Sequence, residues 1–218
     1  MNYTLLKDLL DLVEEFEAGR SNSTKSESTL EDFKKWIAFN HKSDYKASEP
    51  DWEGKDKGRS PESVINTLIV HMNRYAKSYS KSAIFGSDFS TQEDFIFLIT
   101  LKTFGEMTKT DLIKKNVHEK PAGMQIINRL IAQGWVNQFD SETDKRSKIL
   151  KISNTGIEVL ESQMSKIRKA SEIVTGDLTY NEKMELIRLL NKLNDFHIRI
   201  YEKNIDSEFL LSEALKFN

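Results

Sequence analysis

Asp144, Lys145 and Arg146 stand side by side in the stretch FDSETDKRSKILKIS, residues 139–153. Two cations beside one carboxylate can neutralise each other at a solvated turn. Alternatively, the carboxylate can hold the cations in place against an external anion. A guanidinium suits the second task, because it is planar, weakly hydrated and carries several donors in a fixed fork. Lys148 adds a cation where the chain returns to alternating Ile, Leu and Lys. The residues before and after this tip read as two short strands, so the charges sit on a hairpin.

Other kinds of chemistry lack their residues. The chain has no cysteine, which excludes disulfides, thiolate-ligated zinc and a thiol redox switch. Its four histidines, His41, His71, His118 and His197, show no metal-ligand spacing. Neither glycine-rich phosphate loop is present, nor a G-x-S-x-G elbow. No catalytic residue, metal or cofactor is expected, and the chain is not read as an enzyme.

The net charge of −2 hides an uneven distribution. Residues 1–58 hold nine basic and thirteen acidic side chains, whereas residues 109–151 hold nine basic and five acidic. The basic block contains the hairpin, and it is the distribution rather than the sum that bears on an anionic partner. With 38% apolar residues the 218-residue chain can bury a core. No apolar run is long enough to span a membrane, and the acidic N-terminus does not read as a signal peptide. A cytoplasmic protein without a membrane partner is expected.

The elements that must position the hairpin follow from periodicity and caps. Leu5, Leu9, Leu12, Val13 and Phe16 mark an amphipathic helix that Gly19 stops. Ser28 and Glu31 read as a capping box opening a short helix with Phe33, Trp36 and Ile37 on one face. Residues 42–59 read as a long loop pinned by Tyr45 and Trp52. Ser60-Pro61 starts a helix through Ile65, Leu68, Met72, Tyr75 and Tyr79, with both tyrosines read as core. A box at Ser90/Glu93 opens a helix that is apolar nearly all round. Thr108 opens a helix of barely two turns, Val117-His118 forms a turn, and residues 119–133 form a longer helix ended by Gly134. Strands at 135–139 and 148–153 flank the charged tip. Two helices close the chain, the second capped by Thr179/Glu182 and carrying Leu186, Leu189, Leu193, Phe196 and Ile200 as a seam. That seam reads as a dimer surface, or as a surface for the chain's own first 60 residues.

A short helix, a tight turn, a longer helix and a hairpin make a winged helix-turn-helix. Here the chain resembles the MarR family of transcriptional regulators over residues 61–202. The wing carries the family's pattern as Asp140, Asp144, Lys145 and Arg146, then Ile152-Ser153-Asn154-Thr155-Gly156, and RLIAQGWV is similar to its recognition-helix end. The expected fold is mainly α with a small β-hairpin wing (α+β), a winged helix-turn-helix with a helical dimerisation region. Its expected parts are an N-terminal extension (1–58), a dimerisation helix (59–85), the DNA-binding domain (86–153) and C-terminal dimerisation helices (154–218).

The resemblance implies a homodimeric repressor on a palindromic double-stranded operator. Arg146 would enter the minor groove, with Lys145 and Lys148 beside it and Asp144 orienting the tip. Lys120 and Gln125 are candidate major-groove readers, Asn128 and Arg129 lie further along, and Thr108 and Thr110 could donate to phosphate. His71, Arg74 and Tyr75 are candidates for receiving a small aromatic or anionic effector. The alternative is a winged-helix protein-interaction module that does not bind DNA.

Overall fold

The structure is a computed structural model that describes residues 3–19, 29–40, 49–141 and 147–217. It divides into two units, Met1–Val64 and Ile65–Asn218.

In the first unit, α1 (Tyr3–Ala18) and α2 (Leu30–Asn40) meet through aromatics. Phe16 is buried, with its ring 5.3 Å from that of Phe33 and 5.6 Å from that of Trp36. The box opening α2 is Thr29/Asp32: Thr29 Oγ1 accepts from the Asp32 N–H at 3.2 Å, and Asp32 Oδ2 accepts from the Thr29 N–H at 3.3 Å. This corrects the expected Ser28/Glu31 pair by one residue; Ser28 itself lies outside the described residues. Further on, Gly54 and Gly58 take φ of 82° and 81° around a 3-10 turn, Lys55–Lys57. The Trp52 indole N–H donates to the Arg59 carbonyl at 2.9 Å, which pins this segment as expected. Tyr45 lies outside the described residues.

Helix α3 (Pro61–Ala83) runs on into the second unit, which continues as α4 (Gln92–Phe104), β1 (Met107–Thr108), α5 (Lys109–Lys115), α6 (Lys120–Ala132), β2 (Val136–Asp140), β3 (Lys148–Ile152), α7 (Asn154–Thr175), α8 (Tyr180–Tyr201) and α9 (Ser207–Ala214). The strands form an antiparallel sheet in the order β1-β3-β2, with Met107 opposite Leu150 and Val136 opposite Ile152. The winged helix-turn-helix is therefore present, with two additions. Strand β1 has only two residues, too few to show alternation. Helix α9 follows a turn at Asn204, whose φ is 50°, so three helices rather than two close the chain.

The core lies where α4, α5, α6, β3 and α7 converge, on Phe97, Leu98, Leu101, Leu112, Ile127, Leu130, Leu150 and Leu160. Helix α4 supplies most of it, as its all-round apolar character requires. Two glycines mark backbone approaches that no side chain could share. A Cβ at Gly123 would stand 2.6 Å from Ile113 Cγ1, where α6 crosses α5, and one at Gly156 would stand 2.2 Å from the Trp135 carbonyl oxygen. Along α3 the expected core tyrosines are instead exposed, Tyr75 at 55% and Tyr79 at 38%. Among the described residues of that helix only Ala83 is buried. Among the described residues, no helix is long and apolar enough to cross a membrane.

Gly156→Ala must push the Trp135 backbone aside, so it is expected to cost about 1–3 kcal/mol. Urea unfolding should show an earlier midpoint at unchanged slope. A wild-type midpoint would mean that the carbonyl can retreat freely.

Candidate nucleic-acid interface

The helix-turn-helix is built from α5, its turn and α6. Thr108 caps α5, with Oγ1 accepting from the Asp111 N–H at 3.1 Å and donating to Asp111 Oδ2 at 2.7 Å. Its hydroxyl is thus engaged, whereas Thr110 two residues on is exposed. Helix α6 buries Gly123, Ile126, Ile127 and Leu130. That spacing turns Gln125 and Asn128 outward along one stripe, and Lys120 is exposed in the first turn.

Arg129 faces a different way. Its Nε donates to Asp94 Oδ1 at 2.9 Å and its Nη2 to the same oxygen at 2.5 Å, with Thr91 Oγ1 at 3.3 Å. Asp94 is fully buried, and its other oxygen accepts the Ser90 and Thr91 N–H groups at 2.8 and 3.0 Å. The residue that reaches back to the first N–H groups of α4 is therefore Asp94 and not the expected Glu93. Glu is the usual partner in such a box, so the sequence pattern points one residue early. Asp94 went unnoticed as a site residue; a carboxylate three residues after Thr91 was the available signal.

Glu93 is left to meet the helix-turn-helix turn, where His118 Nε2 donates to Glu93 Oε2 at 2.8 Å. Burial acts to raise the Glu93 pKa, but hydrogen bonds from His118 and Gln92 and the charges of His118 and Lys77 outweigh it, and the carboxyl titrates below its usual 4.5. The His118 ring also lies edge-on to Phe97, centroids 5.5 Å apart. The His118 carbonyl accepts the Tyr201 hydroxyl at 2.6 Å, across 83 residues of sequence. Burial pushes the Tyr201 phenol up from its ordinary value.

In the wing, Lys148 pairs with Asp140, its register partner on β2. The Ser141 N–H donates to the Ser147 carbonyl at 3.1 Å, closing the base of the tip. Asp144, Lys145 and Arg146 lie outside the described residues. Lys151 on β3 bridges to Glu106 at 2.6 Å. On α3, His71, Arg74 and Tyr75 are exposed, and the His71 ring lies 6.5 Å from that of Tyr75. Two open hollows lie near the end of α3, about 520 and 350 Å³, sharing Lys81; none of these three residues lines either. Among the described residues, no cluster of three or more His, Asp or Glu could hold a metal ion.

Arg129→Leu strands the buried Asp94 carboxylate and is expected to cost about 3 kcal/mol in denaturant unfolding. A loss within experimental error would show that Asp94 is satisfied by its backbone donors alone. The lowered Glu93 pKa implies stability that is present above the ordinary value of 4.5 and lost as pH falls through the lowered one. Glu93→Gln should accordingly flatten the acid limb of the stability–pH curve. An unchanged limb would place the acid sensitivity elsewhere.

Residues 87–147 match the sequence profile of the MarR family. Over 105 residues the chain is 27% identical to the HTH-type transcriptional repressor NicR of Pseudomonas putida, a match covering 48% of this chain. It spans 66% of NicR, just under two thirds of that protein's length. Among solved structures, a MarR mutant from E. coli complexed with operator DNA has a TM-score of 0.55 at 23% identity, covering 59% of this chain and 92% of that one. Bordetella bronchiseptica BpsR, whose DNA binding is regulated by 6-hydroxynicotinic acid, has a TM-score of 0.58 at 18% identity, covering 63% and 97%. The structural likenesses carry the fold, and the sequence profile falls on the segment that builds the helix-turn-helix and wing. The segment that builds the helix-turn-helix and wing thus carries the sequence match to the MarR family, on a fold similar to that of MarR-type winged helix-turn-helix proteins.

Proposed function

We propose that the chain is a DNA-binding repressor that works as a homodimer on a palindromic operator. The observation that carries this reading is the outward stripe of α6. Gln125 and Asn128 stand exposed beside Lys120 on a helix whose opposite face is locked into the core. Gln and Asn match adenine edges and Lys matches guanine or phosphate. The wing tip, with Lys145 and Arg146 positioned by Asp144, takes the adjacent minor groove, and Lys148 stands at its base. Thr110 is free to reach phosphate, whereas Thr108 serves as a cap. Arg129 leaves the DNA-contacting set, since Asp94 holds its guanidinium.

Homodimerisation is supported by the apolar faces of α3 and α8. Leu68, Tyr75, Leu189 and Leu193 are each more than two-fifths exposed, and surfaces of that kind mark an interaction site. On this reading residues 59–85 and 154–218 assemble the dimer, residues 86–153 read DNA, and residues 1–58 are an extension that reinforces it. BpsR responds to an aromatic acid, and the same class of effector is proposed here, received near His71, Arg74 and Tyr75. A protein-interaction module without DNA binding is favoured by one observation: with Arg129 tied to Asp94, Lys120 is the one cation left on the described face of α6.

Fluorescence anisotropy with mixed-sequence duplex DNA separates the two. Binding should weaken steeply as salt rises. Arg146→Ala and Lys120→Ala should each lose about tenfold, roughly 1.4 kcal/mol. Binding absent even at low salt would sink the repressor reading and leave the interaction module.

A further inference from the structure

We propose that Tyr201 is a positioning residue for the recognition helix: the last turn of α8 holds the turn between α5 and α6 in a conformation it would not keep alone. This rests on the DNA-binding reading only for its functional consequence.

The argument begins at Val117, which has φ of 52°. That is the left-handed region, normally filled at the end of a helix by Gly or Asn, and a β-branched residue is strained there. Its side chain is 54% exposed, so packing does not compensate. The turn closes α5 through two hydrogen bonds, Val117 N–H to the Lys114 carbonyl at 3.0 Å and His118 N–H to the Ile113 carbonyl at 3.1 Å. A strained conformation persists only where its surroundings over-determine it. Here the surroundings act on the next residue. His118 is held by Glu93 and Phe97 from α4, and its carbonyl by the Tyr201 hydroxyl from α8.

The contact from α8 differs in kind from those of α4. Among the described residues α8 buries only Ile200, directly before Tyr201, while Met184 to Leu193 expose their apolar side chains. The helix therefore meets the DNA-binding fold at its tip. Helix α6 starts at Lys120, two residues beyond His118, so the peptide that Tyr201 grips is the one that launches the recognition helix.

The test is Tyr201→Phe in the full chain, which keeps the ring and removes the hydroxyl. Three readouts are taken: assembly state by sedimentation, hydrogen–deuterium exchange by peptide, and anisotropy with mixed-sequence duplex DNA at fixed salt. Exchange over residues 113–123 should accelerate about tenfold, the scale of one lost hydrogen bond, with α4 and α7 peptides unchanged. DNA affinity should fall by a similar factor at unchanged assembly. Val117→Gly removes the strain, so adding it to Tyr201→Phe should restore both to within about twofold of wild type. Wild-type exchange in the 113–123 segment, acceleration spread through α4 and α7, or failure of Val117→Gly to rescue would each overturn the proposal. Should the wild-type chain ignore DNA, the repressor reading falls, and the exchange arm alone decides whether Tyr201 holds the turn.

Discussion

The buried carboxylate of Asp94 is the interaction on which the orientation of α6 depends. A charge removed from water is tolerable only when every lone pair is engaged. Asp94 meets that condition by closing the first turn of α4 on one oxygen and gripping Arg129 on the other. The first bond set makes it part of α4, and the second makes α6 part of the same body. Because the guanidinium fork is directional, the contact also fixes the rotation of α6 about its axis. That rotation decides which residues look outward. Gln125 and Asn128 stand exposed partly because Arg129, the next residue after Asn128, is held inward.

Beyond α6 hydrogen bonds centred on Ser153 add to the side-chain packing of Trp135, Val136 and Leu150. The Ser153 N–H donates to the Trp135 carbonyl at 2.9 Å, and the Ser153 hydroxyl donates to the Gly134 carbonyl at 2.7 Å while accepting the Gly156 N–H at 3.0 Å. The end of the recognition helix, the base of the sheet and the start of α7 are thereby tied at one point. Gly156 is required at this point because the Trp135 carbonyl occupies the space a side chain would need. Strands β2 and β3, anchored in this way at their base, are tied to the end of α6.

Much of this was legible in the sequence, and the reasons differ from element to element. The order of helices and strands followed from period and caps, and Thr179/Glu182 was read to the residue because Glu stands in the expected place. The boxes at Thr29/Asp32 and Thr91/Asp94 were each read one residue early, since Ser–x–x–Glu overlaps Thr–x–x–Asp in both stretches. Tyr75 and Tyr79 were misread as core because an apolar stripe looks the same whether its own chain or another covers it. Strand β1 and helix α9 are too short to show a period. Tyr201 carried no local signal at all, as its partner is 83 residues away. Contacts within one turn of helix are written in the sequence, whereas contacts between distant segments appear only once the fold is in hand.

The same long-range contact links α8 to the start of α6. Helix α8 has 22 residues, which at 1.5 Å per residue makes a rod of about 33 Å. In the proposed dimer its exposed seam is the part gripped by the partner, and its C-terminal end carries Tyr201. A tilt of about 5° along such a rod moves the end by about 3 Å, whereas a hydrogen bond fails within well under 1 Å of stretch. The contact at His118 is thus far more sensitive to how α8 is seated than the core contacts that hold α6 to α4. Whatever reseats α8 need not touch α6 to change its presentation. Reseating α8 is enough, because the strained turn beside Val117 then loses one of the groups that hold it.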